Sequence, residues 1–596
     1  MRVTPAMVLV PVAALLGFLL LFDHLSPSEA TSIPPPLDAG EAVSGSWYCA
    51  AGDTNEGRTT SVVFAPVPSD DMEPTDVIVS TFGAGERDPG SETRVLPEDV
   101  RVDELPPGRD SIGVAARWWG RPAVLSRVWR VGGSDFPSGW VAGPCEPSPS
   151  INWFVPGLST DGGGQAQLIL ANPFDSSATA TVTLATSEGL LQPRRLGNLH
   201  VPDGDVLRIE LNEFAPEQAD LGVIVRVRAG RLVAEGVQSF NAAIGGVDGV
   251  TLVKAAPATA LSWTIPWVEV ADRVGSDEEG DEDGVDSWVW VTNPSTEAAE
   301  IELTLHTDTG TAPPVIGSED IEEPAAPATS PPPDSGSPTA TPSPVAQPSP
   351  GPPIDLPDPE AASETLRIEP GAVRRIDVAE LLPGGTGVAG VTVTSTNDVP
   401  IVVSAGTIRR DPAAVLSALA IQIAAPLADT TWVWSVPPPA DRATHLHVVN
   451  LGDQPATLDV RYHVGDGQIA NFSAQVIVPV GALADVDLSI DVGDAEQLTV
   501  YVGSDQPIVA GYRSLNTEGR PDLVLGLGAA GHTWQGGGQV PRAVHRPELV
   551  RQLGTSGQPA TMEEPTAPDL EFDAPTEDRP SPSPSPSPSG SPTTGG

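Results

Sequence analysis

The chain has 596 residues, with 79 acidic against 31 basic side chains and a formal net charge of −48. That length exceeds a single hydrophobic core and implies several domains. The charge excludes a nucleic-acid surface, which needs a basic patch to meet phosphate; an acidic excess of this kind serves solubility through self-repulsion, or a salt-adapted surface.

The chain begins with Arg2 and an apolar run that reaches Phe22, interrupted only by Pro11 and Gly17 and ended by Asp23. Counted from Val3 it is about 20 residues, enough to cross a bilayer. Its positive charge lies on the N-terminal side, which predicts that end inside and the bulk outside. Ser28-Glu29-Ala30 fits the small-x-small pattern before a cleavage site. Residues 1–24 therefore read as a single-pass transmembrane anchor or, alternatively, a cleaved signal segment, and 25–44 as a linker. Both readings place the rest outside the cytoplasm. Cys49 and Cys145 are the two cysteines. In an oxidising compartment they pair, and closing a loop of about 100 residues stabilises by on the order of 4–5 kcal/mol in the chain-entropy model. Two buried free thiols are the alternative.

Beyond the linker a tryptophan recurs, in Trp47-Tyr-Cys49, Trp153-Phe-Val-Pro156, Trp263-Thr-Ile-Pro266, Trp434-Ser-Val-Pro437 and at Trp534. The period is roughly 100–120 residues once a Pro/Ser/Thr-rich stretch over 311–362 is set aside. Other landmarks keep their order. An alternating run ends in Asn172, Asn293 or Asn450; a turn reads Val201-Pro-Asp-Gly204, Ile368-Glu-Pro-Gly371 or Val478-Pro-Val-Gly481; a last hairpin carries Leu232-Val-Ala234, Pro400-Ile-Val-Val403 or Pro507-Ile-Val-Ala510. These short, β-branched, period-two runs between Gly, Pro and Asn predict antiparallel strands. Six or seven per repeat fit a two-sheet sandwich of immunoglobulin-like size. The Ala-rich stretch from Asp411 to Ala424 resembles a helix but is broken early by Pro412. The expected fold is all-β, with about four tandem immunoglobulin-like β-sandwich repeats over 45–150, 151–262, 263–431 and 432–540. The insert 311–362 and the tail 541–596 are too poor in apolar residues to order themselves. They are disordered spacers or acceptors of O-linked sugar. Five tryptophan landmarks for four repeats leave open whether the array is a rod or closes on itself.

Few residues point to chemistry. His445 and His447 share one face of a strand, and His463 lies on the next, a pattern from which three imidazoles could hold zinc; the same face carries Gln167 and Ile169, or Trp288 and Trp290, in other repeats, so an exposed or interdomain surface is the simpler reading. Trp288 and Trp290 form an aromatic pair suited to stacking on a sugar or to packing against a neighbouring domain. The acidic loop 277–283 lacks the calcium-loop spacing. Gly526-Leu-Gly528-Ala-Ala-Gly531 matches the dinucleotide fingerprint, but the residues after it, His532-Thr533-Trp534 and a glycine run, cannot form the helix that would hold a pyrophosphate. No nucleophile elbow, phosphate loop or His-Glu-x-x-His is present, so no catalytic residue and no cofactor is expected.

The N-terminal span, the Trp-x-Cys start, the Trp-x-x-Pro repeat starts and the Pro-Ile-Val hairpins together resemble a family of actinobacterial exported proteins of unknown function, over roughly residues 40–540. That resemblance implies a compartment and no catalytic residues. The expected function is that of a non-enzymatic cell-envelope protein that meets an envelope protein or wall polysaccharide. A carbohydrate-binding array and a metal-dependent enzyme are the alternatives.

Overall fold

The computed structural model describes residues 44–533 apart from 51, 56, 69–72, 133–138, 241–248, 272–283, 313–365, 383–385, 412–415, 438–441, 465–468, 472–474, 489–497, 517–521 and 532. The N-terminal apolar run, the acidic loop, most of the insert, Trp534 and the C-terminal tail lie outside these residues. Among the described residues no helix is long and apolar enough to cross a membrane.

Almost everything described is antiparallel β-structure, and one nine-strand plan recurs four times. The first unit comprises β1 (Ser44–Cys49), β2 (Thr59–Pro66), β3 (Thr75–Gly83), β4 (Glu86–Asp88), β5 (Glu92–Val95), β6 (Arg101–Glu104), β7 (Gly113–Trp119), β8 (Ala123–Val131) and β9 (Gly139–Pro144). One sheet runs β1-β7-β3 with β4 and β5 both on β3, and the facing sheet runs β6-β2-β8-β9. The second unit repeats this order with β10 (Asn152–Leu158), β11 (Gly164–Ala171), β12 (Ala178–Thr186), β13 (Gly189–Leu191), β14 (Leu199–Val201), β15 (Val206–Glu210), β16 (Leu221–Ala229), β17 (Val233–Phe240) and β18 (Gly249–Lys254). The third uses β19 (Ser262–Val270), β20 (Gly284–Thr292), β21 (Ala299–Thr307), β22 (Gly310–Ala312), β23 (Leu366–Ile368), β24 (Val373–Asp377), β25 (Gly387–Ser395), β26 (Val402–Asp411) and β27 (Leu416–Ile423). The fourth has β28 (Asp429–Val436), β29 (Arg442–Asn450), β30 (Ala456–His463), β31 (Ile469–Asn471), β32 (Val476–Val478), β33 (Leu483–Asp487), β34 (Leu498–Asn516) and β35 (Leu523–Leu527), then β36 (Ala529–Ala530). Here the seventh and eighth strands are fused. The first half of β34 pairs with β28 and β30, and its second half with β29 and β35. The Ala-rich stretch that resembled a helix contains β27: its aliphatic residues alternate between two neighbours, and a strand buried on both sides loses the polar face that marks alternation.

Three landmarks have a backbone-satisfying role. The indoles of Trp47, Trp153 and Trp263, all buried, donate to the carbonyls of Ala123, Leu232 and Ile401 across the sandwich, at 2.7, 2.8 and 2.8 Å. In the fourth unit Trp432 donates to Ile508 O, 3.0 Å. It is therefore Trp432, not Trp434, that occupies the recurring position. The motif misleads because Pro156 and Pro266 sit in strand irregularities that follow the tryptophan, whereas the irregularity of β28 precedes it, between Asp429 and Thr431. Asn172, Asn293 and Asn450 are wholly buried, and each amide nitrogen donates to three carbonyls (for Asn293, those of Glu297, Ile368 and Glu369). Each side-chain oxygen accepts from the backbone two residues on. The turn glycines Gly204, Gly371 and Gly481 have φ of 61, 71 and 67°, and a Cβ there would strike Arg87, Leu190 and Thr311. In each of the first three units the β3–β4-type hairpin thus reaches to the turn of the next unit.

The array closes. The ninth strands meet in sequence: β9 lies against β18, β18 against β27, β27 against β35, and β35 against β9. On β27, Leu419 and Ile421 join Val250 and Leu252 of the second unit, whereas Ala418 and Ala420 pack with Leu523 and Leu525 of the fourth. On β9, Val141 faces the second unit and Ala142 the fourth. Sheet edges enclosed in this way cannot recruit another strand. Consecutive units are joined by short straps, Glu146–Ser150, Ala256–Ala260 and Ala425–Asp429, each with a proline at its second position and pinned at both ends by strand bridges. Among the described residues no strap joins the fourth unit to the first.

Candidate functional site

The closing segment after each ninth strand pairs back onto the first strand of its unit, at Tyr48↔Glu146, Phe154↔Ala256, Thr264↔Ala425 and Val433↔Ala529. One position before these bridges lie Cys145, Ala255, Ala424 and Gly528; one position further along the first strand lie Cys49, Val155, Ile265 and Trp434. In the first unit this place holds the Cys49–Cys145 disulfide, with both residues about 1% exposed. In the fourth it holds a buried indole over a glycine: a Cβ on Gly528 would lie 2.7 Å from Trp434 Cε3. Gly526 and Gly531 are likewise crowded, by Tyr512 and Asp429. The glycine spacing that mimics a dinucleotide fingerprint is therefore a packing pattern on β35 and β36, with no helix of binding length behind it among the described residues.

The three histidines are not brought together. β29, with His445 and His447, pairs with the second half of β34, and β30, with His463, pairs with the first half, on the facing layer. The second and third strands of each unit belong to opposite sheets in this plan, which the period-two pattern alone does not reveal. Among the described residues no group of three or more His, Cys, Asp or Glu side chains is placed to hold a metal ion. His445 Nδ1 lies 2.8 Å from Asp485 Oδ1. His447 is 1% exposed and stacks on Trp267 of the third unit, ring centroids 5.2 Å apart. The Arg513 guanidinium also lies over that indole, 5.0 Å from its centroid, and pairs with Glu269 at 2.9 Å. Burial pushes the His447 imidazole down to about 3, so it packs as a neutral ring. Both of its nitrogens lack a hydrogen-bond partner.

The Trp288–Trp290 pair is not a solvent-facing platform. Trp290 is 2% exposed, sits in the second unit's core cluster and donates to Asp220 Oδ1, 2.8 Å. Trp288 meets it edge to face at 5.3 Å and lies under Arg375. The pair is the seam between the second and third units, because β20 turns this face towards its predecessor as β29 turns His447.

A polar group at the first junction has no counterpart among the residues that the sequence singles out. Arg127, 1% exposed on β8, pairs with Glu235, 0% exposed on β17, at 2.9 Å. Glu235 stands opposite Lys254 on β18, and Lys254 Nζ is 3.1 Å from Glu146 Oε1. Burial raises the Glu146 carboxyl, and Lys254 draws it part of the way back. The third unit carries Ala405, Ser404, Ile423 and Ala425 at the equivalent places of the plan. Two signals of the cluster are present in the sequence: Lys254 is the sole lysine, and Arg127 interrupts an apolar run. A separate cavity of about 270 Å³ is lined by Thr81, Phe82, Glu86, Arg87, Arg109 and Ile112. Its two arginines are already paired, Arg109 with Glu86 and Arg87 with Asp175, so neither guanidinium is left for a ligand.

Among known proteins, residues 126–325 match a family of unknown function (DUF5719). No curated protein matches the chain. A solved structure titled as Thermotoga maritima 1070 is similar over 17% of this chain and 95% of that one, at 14% identity and a TM-score of 0.16. A Streptomyces avermitilis alpha-L-rhamnosidase complexed with L-rhamnose is similar over 74% of this chain and 54% of that one, at 8% identity and a TM-score of 0.09. What these comparisons establish is that about a third of the chain, from β8 into the third unit, matches a protein family whose function is unknown.

Proposed function

We propose that the protein is a non-enzymatic component of the cell envelope, anchored or exported through its N-terminal segment, with its ring of β-sandwiches outside the cytoplasm. The Cys49–Cys145 disulfide carries this reading: both cysteines of the chain are consumed in one buried cross-link, and such bonds persist in oxidising compartments. The apolar run after Arg2 and the excess of acidic side chains fit the same location. The polar and aromatic clusters around Arg127, Trp288 and His447 are internal seams between units. That favours a scaffold whose rim meets a protein or wall polymer over an enzyme or a sugar-stacking face.

A reporter active only outside the cytoplasm, fused after residue 540, tests the compartment. Activity there, with both cysteines protected from alkylation until a reductant is added to denatured protein, supports it; a silent fusion and freely alkylated thiols overturn it. Crosslinking in intact cells followed by envelope fractionation then names the partner.

A further inference from the structure

We infer that the outer face of the second unit, around β16, binds an anionic polysaccharide through arginines that no carboxylate neutralises among the described residues. Arg226 and Arg228 lie on β16, Arg231 in the turn after it, and Arg194 in the short 3-10 turn Arg194–Leu196; all four residues are exposed. The register brings them to one area. Arg226 stands opposite Asn152 on β10 and Thr181 on β12. Thr181 Oγ1 donates to Gly197 O at 3.0 Å, which holds the Arg194 turn beside the same strand. Thr179, the next residue along this face of β12, stands opposite His200 on β14. The positions around Arg226 thus carry amide, hydroxyl and imidazole groups and no carboxylate. Among the described residues none of the four guanidiniums forms an ion pair, whereas Arg195 beside them reaches Glu213 at 3.6 Å.

The same register position carries the opposite charge in the later units. Thr394 on β25 faces Glu302 on β21, and Gly503 on β34 faces Asp459 on β30. Where the fifth strand of a unit carries an arginine, the third strand sets an acid opposite: Asp76 pairs with Arg94 at 3.0 Å, and Glu300 stands across from Arg367. In a chain of 79 acidic against 31 basic side chains, four unpaired arginines on one unit are charge kept for a ligand. Phe154, two residues on from Asn152, packs against the third unit's core, so that end of the face is closed and the arginine end is open.

The chemistry selects the partner. A guanidinium offers a planar fork that fits carboxylate and phosphate alike. Each exposed contact is worth only about 0.2–1 kcal/mol, so a single small anion on this open face is held poorly, whereas a chain of repeated anions adds the contacts together. Arg226 and Arg228 are two residues apart on a strand, roughly 7 Å. The −48 charge of the whole chain is screened beyond about 8 Å at physiological ionic strength, so the local arginines decide the contact. The inference names the partner class of the envelope scaffold proposed above and rests on that reading for the source of the polymer.

Purified full-length chain is titrated with polygalacturonate as the carboxylate probe, poly(glycerol phosphate) as the phosphate probe and dextran as the neutral control. Binding to at least one polyanion and not to dextran is expected, and the probe that binds identifies the anion. Arg226→Thr with Arg228→Thr gives the face the residues of the third unit, Thr394 and Thr396. It should weaken binding at least about tenfold and make its salt dependence shallower. Arg117→Ser with Arg374→Ser removes equal charge from other exposed sites and should change binding by no more than about twofold. Both pairs should keep the urea midpoint, as exposed substitutions do. Protection of Arg226 and Arg228 from phenylglyoxal by the bound polymer, read by peptide mass, needs no variant. Binding to neither polyanion, equal binding of dextran, equal loss in the two double variants or no protection overturns the inference. So does a change of oligomeric state in the Arg226/Arg228 variant by light scattering, which would assign the patch to an acidic face of a second copy. Binding is read on purified protein and the compartment by the fusion after residue 540, so either reading can fail alone.

Discussion

The first and fourth units fill the same place between the first strand and the closing segment with opposite residues. One uses two sulfurs joined by a bond, Cys49 and Cys145; the other uses the largest side chain against the smallest, Trp434 over Gly528. The two middle units use Val155 with Ala255 and Ile265 with Ala424. What is kept through the four units is the filling of a gap of roughly fixed width, as expected of cores that tolerate exchange when volume is preserved.

Breaking that comparison where it is covalent should have the largest effect. Cys49→Val with Cys145→Ala copies the second unit; it should keep the fold by near-UV circular dichroism and lower stability by on the order of 4 kcal/mol in urea. An unchanged midpoint would mean the bond adds nothing to packing. Glu235→Ala should cost about 3–4 kcal/mol, since it takes the carboxylate from a buried guanidinium, whereas replacing Arg127, Glu235, Lys254 and Glu146 together by Ala, Ser, Ile and Ala, the residues at the equivalent places of the third unit, should be close to neutral. A quadruple variant as unstable as the single one would show that the charges stabilise the junction outright. Gly528→Ala should cost about 1–3 kcal/mol through the clash with Trp434, and much less when Trp434 is already Val, a coupling that a double-mutant cycle reads directly.

The smallest effect is a pH slope. His447 is depressed to about 3 in the folded chain, so between its unfolded value of about 6.5 and 3 the unfolded state binds more protons. Stability should therefore fall as pH falls through that window, by at most about 1.4 kcal/mol per pH unit for one such group. His306, also lowered by burial, adds to the slope. His447→Leu should flatten it, as followed by urea midpoints from pH 7 to 4; an unchanged slope would place the proton uptake elsewhere.

The legibility of each residue in the sequence depends on what it does in the fold. Trp153, Asn293 and Gly371 recur because each satisfies or spares a backbone group that any copy of the plan must satisfy, so their spacing exposes the period. The histidine strands mislead because alternation tells which face a side chain takes and not which sheet its strand joins. Trp434 stands in for Trp432 in the sequence pattern because Pro437 lies at the familiar offset beyond it. Short edge strands such as β13 and β22 leave no signal, being three residues each with no room for a period. Closure itself leaves a trace in the apolar runs of β18, β27 and β35, which have no polar face because each has two neighbours.

The hairpin that in the second unit returns from Leu191 to Leu199 through a short turn leaves in the third at Ala312 and comes back at Leu366. The same pair of strands, β21 with β23 and β12 with β14, keeps the same antiparallel pairing around both connections. The third unit thus carries some fifty more residues at this corner with the same ladder beneath it. The equivalent turn in the second unit, between β13 and β14, is accordingly the natural port for adding a tag, a fluorophore or a foreign epitope to the molecule.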